Sequence, residues 1–136
     1  MAPLGPKLIS QAVGTANITE WAKLALSDLQ ACVLRVTRLR HDDQDRPVLL
    51  EMVVLVLDWF PGLEVSGDAI LDIAELAQRY GLPLARATER VSIVPASADI
   101  ALHLVIGAGT NVMKLDRVTE TAQGVPVEWR VSFSKG

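Results

Sequence analysis

Five charged residues in three segments of the chain could form a site for a small anion. Arg38 and Arg40 stand two apart in a segment predicted to be a strand, so both guanidinium groups project from one face of the sheet. Two guanidinium groups on one face can hold a phosphate, a sulfate or a carboxylate through charge-assisted hydrogen bonds. Glu51 lies within an otherwise apolar strand, and Glu128 and Arg130 repeat the two-residue spacing in the last strand.

The acidic members of this set leave two interpretations open. Burying an unpaired carboxylate is costly, so Glu51 needs a partner, which can be an arginine of the protein or the hydroxyls or amines of a ligand. The same spacing is also compatible with cross-strand salt bridges on a solvent-exposed face, which contribute little to stability. The residue types alone therefore predict either a ligand site or a set of surface ion pairs.

The motifs of common catalytic and cofactor sites are absent from the sequence. It contains no Walker A sequence, no GxGxxG and no GxSxG. His41 and His103 have no second histidine or cysteine at the spacing of zinc ligands. The acidic residues Asp42, Asp43 and Asp45 lack the glycine and distal glutamate of an EF-hand loop, and they predict a solvated hairpin turn. We expect no metal, no cofactor and no catalytic residues.

Composition restricts the class of protein further. The chain has 136 residues, half of them apolar, and a formal net charge of −3. This length and apolar content favour one folded domain over a disordered or fibrous chain, and the acidic balance argues against a free-standing nucleic-acid binder. The longest apolar run, Met52–Leu57, is far shorter than the ~20 residues that span a bilayer. We expect a cytoplasmic protein with no membrane partner.

Cysteine usage and the N-terminal residues agree with that location. Cys32 is the only cysteine, so no internal disulfide can form, and its apolar surroundings predict a buried thiol. The first ten residues have neither the charged region nor the apolar run of a signal peptide. Residues 1–16 are predicted to be an irregular lead-in, a remnant of an interdomain linker, or a short first strand, and 17–136 to form the domain.

Periodicity and turn residues predict the elements that position the charged side chains. The predicted strands cover 34–40, 47–57, 84–94, 112–119 and 127–133. One helix begins after a capping box at Asn17 and Glu20, a second is capped by Ser66 and runs to Tyr80, and a third is capped by Ser97. Gly81 is expected to end the second helix.

The predicted elements occur twice. Laying residues 17–55 over 96–134 requires no gap, and it places Arg38 on Arg117 and Pro47 on Pro126. Each half consists of a short helix, a strand, a polar turn and a strand. The repeat predicts an α+β domain in which two hairpins share a mostly antiparallel sheet, with helices packed on one face of that sheet.

Several short segments occur in the order found in a known family. They are Arg38-Leu-Arg40, Arg46-Pro47-Val48-Leu-Leu-Glu51, Phe60-Pro61-Gly62-Leu63, Arg79-Tyr80-Gly81-Leu82, Pro95-Ala-Ser-Ala-Asp99, Leu115-Asp-Arg117-Val118-Thr119, Gly124-Val-Pro126-Val127-Glu128 and Ser132-Phe133-Ser134-Lys135-Gly136. On these segments, from about residue 16 to residue 136, the chain resembles the UTRA domain. This is the effector-binding domain of GntR-type bacterial transcription regulators of the HutC branch.

The resemblance implies a chorismate-lyase-like fold and a non-catalytic sensor. UTRA domains bind a small effector such as a sugar phosphate, an amino sugar or an organic acid. They act as homodimers that control DNA binding by a winged-helix domain. By residue-to-residue matching, Arg38 and Arg40 are expected to hold the anionic group, and Glu51 and Glu128 to face the cleft.

Two features depart from the family pattern. Met52 and Trp129 make the site more apolar than usual, and the chain end at Gly136 leaves out an aromatic position that can contact the ligand. These departures predict either a less polar effector or a weakened site.

Two other functions remain open on the sequence. One is a chorismate-lyase-type enzyme acting on an aromatic carboxylate precursor, in which the arginines and a glutamate would hold a dicarboxylate. The other is a dimerisation module without a ligand. A winged-helix domain needs roughly 70 residues, and the residues before Asn17 cannot supply it, so we expect the DNA-binding domain to be absent from this chain.

Overall fold

In the computed structural model, which describes residues 5–135, six antiparallel strands form one sheet with the spatial order β1-β2-β3-β6-β5-β4. The strands are β1 (Lys7–Thr15), β2 (Cys32–His41), β3 (Pro47–Val56), β4 (Leu84–Pro95), β5 (Asn111–Thr121) and β6 (Pro126–Lys135). The α-helices are α1 (Ile18–Lys23), α2 (Leu63–Ser66), α3 (Ile73–Arg79) and α4 (Ala98–Leu104). The α+β class and the antiparallel sheet are therefore confirmed.

Polar turns and side-chain caps define the element boundaries where the sequence predicted them. Asp42 accepts hydrogen bonds from the backbone N–H groups of Gln44 and Arg46, each at 2.9 Å, and so closes the β2–β3 turn. Asn17 accepts from the Glu20 backbone N–H at 2.8 Å, and the Glu20 carboxylate accepts from the Asn17 N–H at 2.9 Å. This reciprocal pair is the predicted capping box of α1.

The repeat is confirmed and is longer than predicted. Adding 79 to each residue number converts β3, 47–56, into 126–135, which are the bounds of β6. The same offset relates β1 to β4, α1 to α4 and β2 to β5 within two residues at each boundary. Met52 pairs with Val131, its own equivalent, in the central β3–β6 ladder. An approximate two-fold axis therefore passes through this pair, and α2 and α3 lie in the connection between the halves.

The helices cover both faces of the sheet, not the single face that the sequence predicted. On β3, Val53 packs against α3 and Leu50 packs against α4. These residues are three apart, and strand side chains alternate between faces, so α3 and α4 lie on opposite sides. We refer below to the α3 face and the α4 face. The expectation of helices on one face was wrong, because β3 is buried on both faces.

The predicted helix from Ser66 to Tyr80 is interrupted. Gly67 has a φ of +80°, a 3₁₀ turn spans Asp68–Ile70, and Leu71 is extended with a ψ of 151°. The helix resumes only as α3, whose end at Tyr80 followed by Gly81 with a φ of +65° is as predicted. The interruption leaves the carbonyl groups of Ile70 and Leu71 free of helical hydrogen bonds, and both face the site described below.

The N-terminal segment agrees with one of its predicted alternatives, whereas the cysteine does not agree with its prediction. Residues 7–15 are strand β1, an edge strand paired with β2, so a strand is what the described part of 1–16 forms. Cys32 is exposed, which contradicts its predicted burial, because it stands at the first position of β2 beside the chain entry. Within residues 5–135, no helix is long and apolar enough to span a membrane.

Candidate functional site

Strand register brings the five predicted residues together on the α3 face. Arg38 stands directly opposite Glu51 across β2 and β3. Arg130 and Glu128 on β6 stand opposite Val53 and Leu55, which belong to the core under α3. Arg40 follows Arg38 on the same face by alternation. The sequence-predicted set is thus one cluster, and it lies where the α2–α3 connection crosses the sheet.

Glu51 is the centre of this cluster. Its side chain is 3% exposed, and its Oε1 accepts a hydrogen bond from Arg40 Nε at 2.9 Å. Arg38 Nε lies 3.6 Å from Oε1, and Arg130 Nη1 lies 3.6 Å from Oε2. The partners that a buried carboxylate requires are therefore three arginines of the protein. The group is buried under the connection, so it is not a set of ion pairs on a solvent-exposed face.

Arg38 is buried to 1% exposure yet incompletely hydrogen-bonded. Its Nη1 donates to the carbonyl oxygens of Leu71 at 2.8 Å and Ile70 at 3.3 Å, in the interrupted part of the predicted helix. Its Nε and Nη2 are buried and have no acceptor among the described residues. Burial lowers the pKa of Arg38 below the usual arginine value, against the opposing effects of Glu51 and Glu128. The guanidinium retains donors that the protein does not satisfy.

Arg40 is engaged by carboxylates on both sides. Its Nε donates to Glu51, and its Nη2 donates to Asp72 Oδ1 at 2.9 Å. Asp72 precedes α3 but does not cap it through its side chain. A 300 Å³ cavity beside Arg40 is lined also by Asp72 and Glu75. Arg38 and Arg40 therefore do not present a shared open fork in this conformation, because each is occupied by other groups of the chain.

Arg117 on β5 is a fourth arginine of the cluster, and the sequence-based site did not include it. It stands directly opposite Arg130 on β6 and opposite Glu89 on β4. Like charges directly opposite each other destabilise a sheet. The Nε atoms of Arg117 and Arg130 are both buried without an acceptor among residues 5–135. The repeat carried the signal, since it aligned Arg117 with Arg38.

Glu128 provides a second buried carboxyl group at the edge of the cluster. It is 1% exposed, and its Oε1 accepts a hydrogen bond from the Thr119 hydroxyl at 3.1 Å. Burial raises the pKa of Glu128, although Arg130, Thr119, Arg38 and Arg117 all act in the opposite direction. Glu128 thus favours its uncharged form more than an ordinary glutamate does, and it compensates less of the arginine charge.

A different arginine shows what a purely structural ion pair looks like in this fold. Arg35, on the opposite face of β2, donates to both carboxylate oxygens of Glu20 at 2.8 and 2.7 Å and to the Thr15 carbonyl at 2.9 Å. Its pKa is raised, first by the Glu20 hydrogen bond. Every one of these contacts has good geometry, whereas Arg38, Arg117 and Arg130 on the α3 face each have a buried Nε without an acceptor among the described residues.

The part of the chain that the structure describes contains no group of three or more His, Cys, Asp or Glu side chains that could hold a metal ion. His103 instead makes a local contact, with Nδ1 3.0 Å from the Asp99 carbonyl oxygen one turn earlier in α4. The guanidinium nitrogens of the cluster that lack an acceptor within residues 5–135 are chemically suited to donate hydrogen bonds to an anion.

Comparison with known proteins agrees with this fold. The effector domain of PhnF from Mycobacterium smegmatis superposes with a TM-score of 0.88 at 26% identity, over 97% of this chain and 80% of that one. In the crystal structure of PhnF from the same organism, this chain covers 58% of the PhnF chain. A GntR-family transcriptional regulator from Enterococcus faecalis V583 gives a TM-score of 0.84 at 23% identity, over 97% of this chain and 94% of that one.

The sequence comparison identifies the family directly. No curated protein sequence matches the chain. The sequence profile of the UTRA domain, however, matches residues 4–136, which is nearly the whole length. Together with the strand order, the repeat and the structural neighbours, this match confirms the resemblance on which the sequence analysis relied. The chain belongs to the UTRA domain family, and its structural neighbours are GntR-family transcriptional regulators.

Proposed function

We propose that this chain is the sensor of a GntR-type regulator and binds an anionic or polar metabolite on the α3 face of its sheet. Candidate ligands are a sugar phosphate, an amino sugar or an organic acid. The proposed site is formed by Arg38, Arg40, Glu51, Glu128 and Arg130. Membership in a family of regulatory domains supports the sensing role.

One observation carries the anionic character of the effector. Arg117 and Arg130 stand side by side on neighbouring strands, and both have buried N–H groups without acceptors among the described residues. Arg38 adds two more such donors. A buried donor without an acceptor destabilises the fold by about 1–3 kcal/mol. Acceptors supplied to these four donors would therefore stabilise the protein. A small anion with several oxygens would supply them.

The same cluster gives a mechanism for transmitting the binding event. Arg38 holds the carbonyl groups of Ile70 and Leu71, and Arg40 holds Asp72. An anion that draws either arginine away would release the segment between α2 and α3. Two arrangements of this segment would then differ in affinity for the effector, and binding would shift the population between them.

The assembly of the regulator is part of the proposal. The sensor would act as a homodimer in the cytoplasm and control a separate winged-helix DNA-binding domain, as the HutC branch of the family does. Exposed apolar side chains at Val91, Ile93 and Met113 support self-association, since Ile93 and Met113 are cross-strand neighbours on an open part of the sheet. Sedimentation velocity should give twice the 14.7 kDa mass of one chain.

We propose a non-catalytic domain, and the comparisons do not favour the chorismate-lyase-type alternative. The GntR-family neighbours support a regulatory role. Incubation of the protein with chorismate separates the two functions. Release of 4-hydroxybenzoate with repeated turnover would establish an enzyme, whereas a sensor would leave chorismate intact.

Thermal unfolding in the presence of sugar phosphates, amino sugars and organic acids tests the site. An effector should raise the Tm of the wild-type protein. The double variant with Arg38→Met and Arg130→Gln should lose that increase. The matched control is Arg46→Gln, an arginine exposed at the β2–β3 turn, which should retain it. A ligand that stabilises the double variant as well as the control would show that the site lies elsewhere.

A further inference from the structure

A second cavity lies between α3 and the β4–β5 edge of the sheet, on the side of the cluster away from Arg40. Its volume is 240 Å³. It is lined by residues of α3 and of both strands: Ile73, Ala74, Leu84, Ala85, Ala87, Arg86, Arg117 and Thr119. A water molecule occupies about 30 Å³ of liquid, so the cavity admits roughly eight waters or a ligand of comparable size.

This cavity is open to solvent, and its lining is apolar and polar in nearly equal measure. The apolar part consists of alanine, leucine and isoleucine side chains, which offer no hydrogen bonds to a polyhydroxylated ligand. Arg117 is the charged group on this face, since Arg86 pairs with Glu120 and so projects from the opposite face of the sheet. The Thr119 hydroxyl already donates to Glu128. Small-molecule sites combine apolar contacts with a small number of polar groups that fix the ligand.

Arg117 is the residue of the cavity whose guanidinium group could bind an anion. Its partner is Glu89, whose Oε1 lies 3.6 Å from Nε, too far and too poorly aligned for a hydrogen bond. The Glu89 side chain is 46% exposed, so displacing it from this contact costs little. Arg130 stands opposite Arg117 on the neighbouring strand β6 and adds positive electrostatic potential at this position. A carboxylate could therefore replace Glu89 at Arg117.

We propose that this cavity binds a small aliphatic carboxylate, with the carboxylate on Arg117 and the hydrocarbon part against Ile73, Ala74 and Leu84. The inference rests on the proposed function and narrows it, because it selects an organic acid over a sugar phosphate or an amino sugar. The side chains of Ile73, Ala74 and Leu84 offer a sugar no hydrogen-bond partners, whereas they can pack against a hydrocarbon chain. Arg117 also repels the ammonium group of an amino sugar.

The test uses two-dimensional ¹⁵N NMR titrations of the whole chain with 4-methylpentanoate, 4-methylpentanamide and glucose 6-phosphate. We expect 4-methylpentanoate to shift the backbone signals of Ala87 and Thr119, while the neutral amide of the same shape does not. Arg117→Gln should weaken carboxylate binding at least tenfold. Arg90→Gln is the matched control, an exposed arginine on the neighbouring strand β4 whose cross-strand partner is Asp116, and this variant should bind as the wild type does.

Two further variants act in opposite directions. Glu89→Gln removes the competing carboxylate and should strengthen binding several-fold. Ala74→Leu extends an exposed alanine of α3 into the cavity and should abolish binding without impairing the helix, since leucine is a good helix former. Far-ultraviolet circular dichroism verifies that each variant is folded.

The outcomes separate this inference from the proposed function. Binding of glucose 6-phosphate with signal changes around Glu51, and none at Ala87, would leave an anion sensor but overturn the carboxylate cavity. Carboxylate binding that survives Arg117→Gln or Ala74→Leu would overturn it as well. If none of the three probes binds and the wider thermal screen is also negative, both the inference and the proposed function are wrong.

Discussion

Replacing Arg38 with methionine is expected to change the free energy of unfolding by less than about 1 kcal/mol, although Arg38 is almost completely buried. The variant loses the 2.8 Å hydrogen bond to the Leu71 carbonyl, a charge-assisted bond of about 1.5–3 kcal/mol. It also loses the weaker 3.3 Å contact with Ile70. Against these losses, it removes two buried nitrogen donors, Nε and Nη2, that have no acceptor among residues 5–135, at about 1–3 kcal/mol each.

Glu51 does not become unpaired in this variant. It retains the 2.9 Å hydrogen bond from Arg40 and the nearby Arg130. The large penalty for breaking a buried ion pair, about 3–5 kcal/mol, therefore does not apply, and an apolar side chain of similar length fills the space. The gains and losses are of the same size and nearly cancel.

Arg35→Met is the variant whose loss of stability should be compared with that of Arg38→Met. Arg35 makes three hydrogen bonds of 2.7–2.9 Å, and Glu20 is nearly inaccessible, so its removal leaves a buried carboxylate without a cation. Because Arg35 itself is 38% exposed, solvent screening reduces the penalty to about 2–3 kcal/mol. The more exposed arginine is therefore expected to matter more for stability than the buried one.

Urea denaturation followed by tryptophan fluorescence at pH 7 measures both variants. Equal m-values would show that each unfolds to the same extent, so that the midpoints report stability. If Arg38→Met destabilises the protein as much as Arg35→Met, the unpaired donors of Arg38 have no energetic cost. The proposed anion site on the α3 face would then lose its energetic support, and Arg38 would be a structural residue.

Three other predictions concern pH and backbone conformation. The pKa of Glu20 is lowered in the fold, so the stabilisation that its carboxylate provides is present above pH 4.5 and is lost as the pH falls below that value. Glu20→Gln should therefore lower the free energy of unfolding by about 1–3 kcal/mol at pH 7, and it should weaken the acid dependence of the urea midpoint. The pKa of Glu128 is raised, so the fold should lose stability as the pH rises above 4.5 through the folded pKa, and Glu128→Gln should remove that decline. Gly67→Ala should cost about 1–2 kcal/mol from its φ of +80° alone, whereas Gly107→Ala, the control without a positive φ, should change the midpoint little.

The sequence predicted the strands well because their apolar residues and turns are local signals. It did not commit to β1, since most residues of this edge strand are exposed and so give no alternation to detect. The placement of helices on both faces is indicated by the sequence of β3. The continuous apolar run in β3 is typical of a strand that is covered on both sides, whereas a half-exposed strand alternates.

The sequence predicted most of the residues that form the cluster but not which groups Arg38 binds within it. Spacing placed Arg38, Arg40 and Glu51 on one face, and the register confirms that they meet. Spacing could not reveal that Arg38 would bind backbone carbonyl groups, because those groups become free only where the predicted helix is interrupted at Gly67 and Leu71. That interruption depends on tertiary packing, which outweighed the helical periodicity of the segment.

The broken symmetry of the repeat explains why two arginines face each other in the second half of the domain. The cross-strand pair Arg38–Glu51 in the first half corresponds, 79 residues later, to the pair Arg117–Arg130. The same scaffold position therefore joins opposite charges in one half and like charges in the other. In the first pair the arginine faces a carboxylate of the protein, and Arg38 also binds the α2–α3 connection through the Leu71 carbonyl. In the second pair two arginines repel each other, and a bound anion would offset that repulsion. The two halves therefore contribute differently to the proposed site.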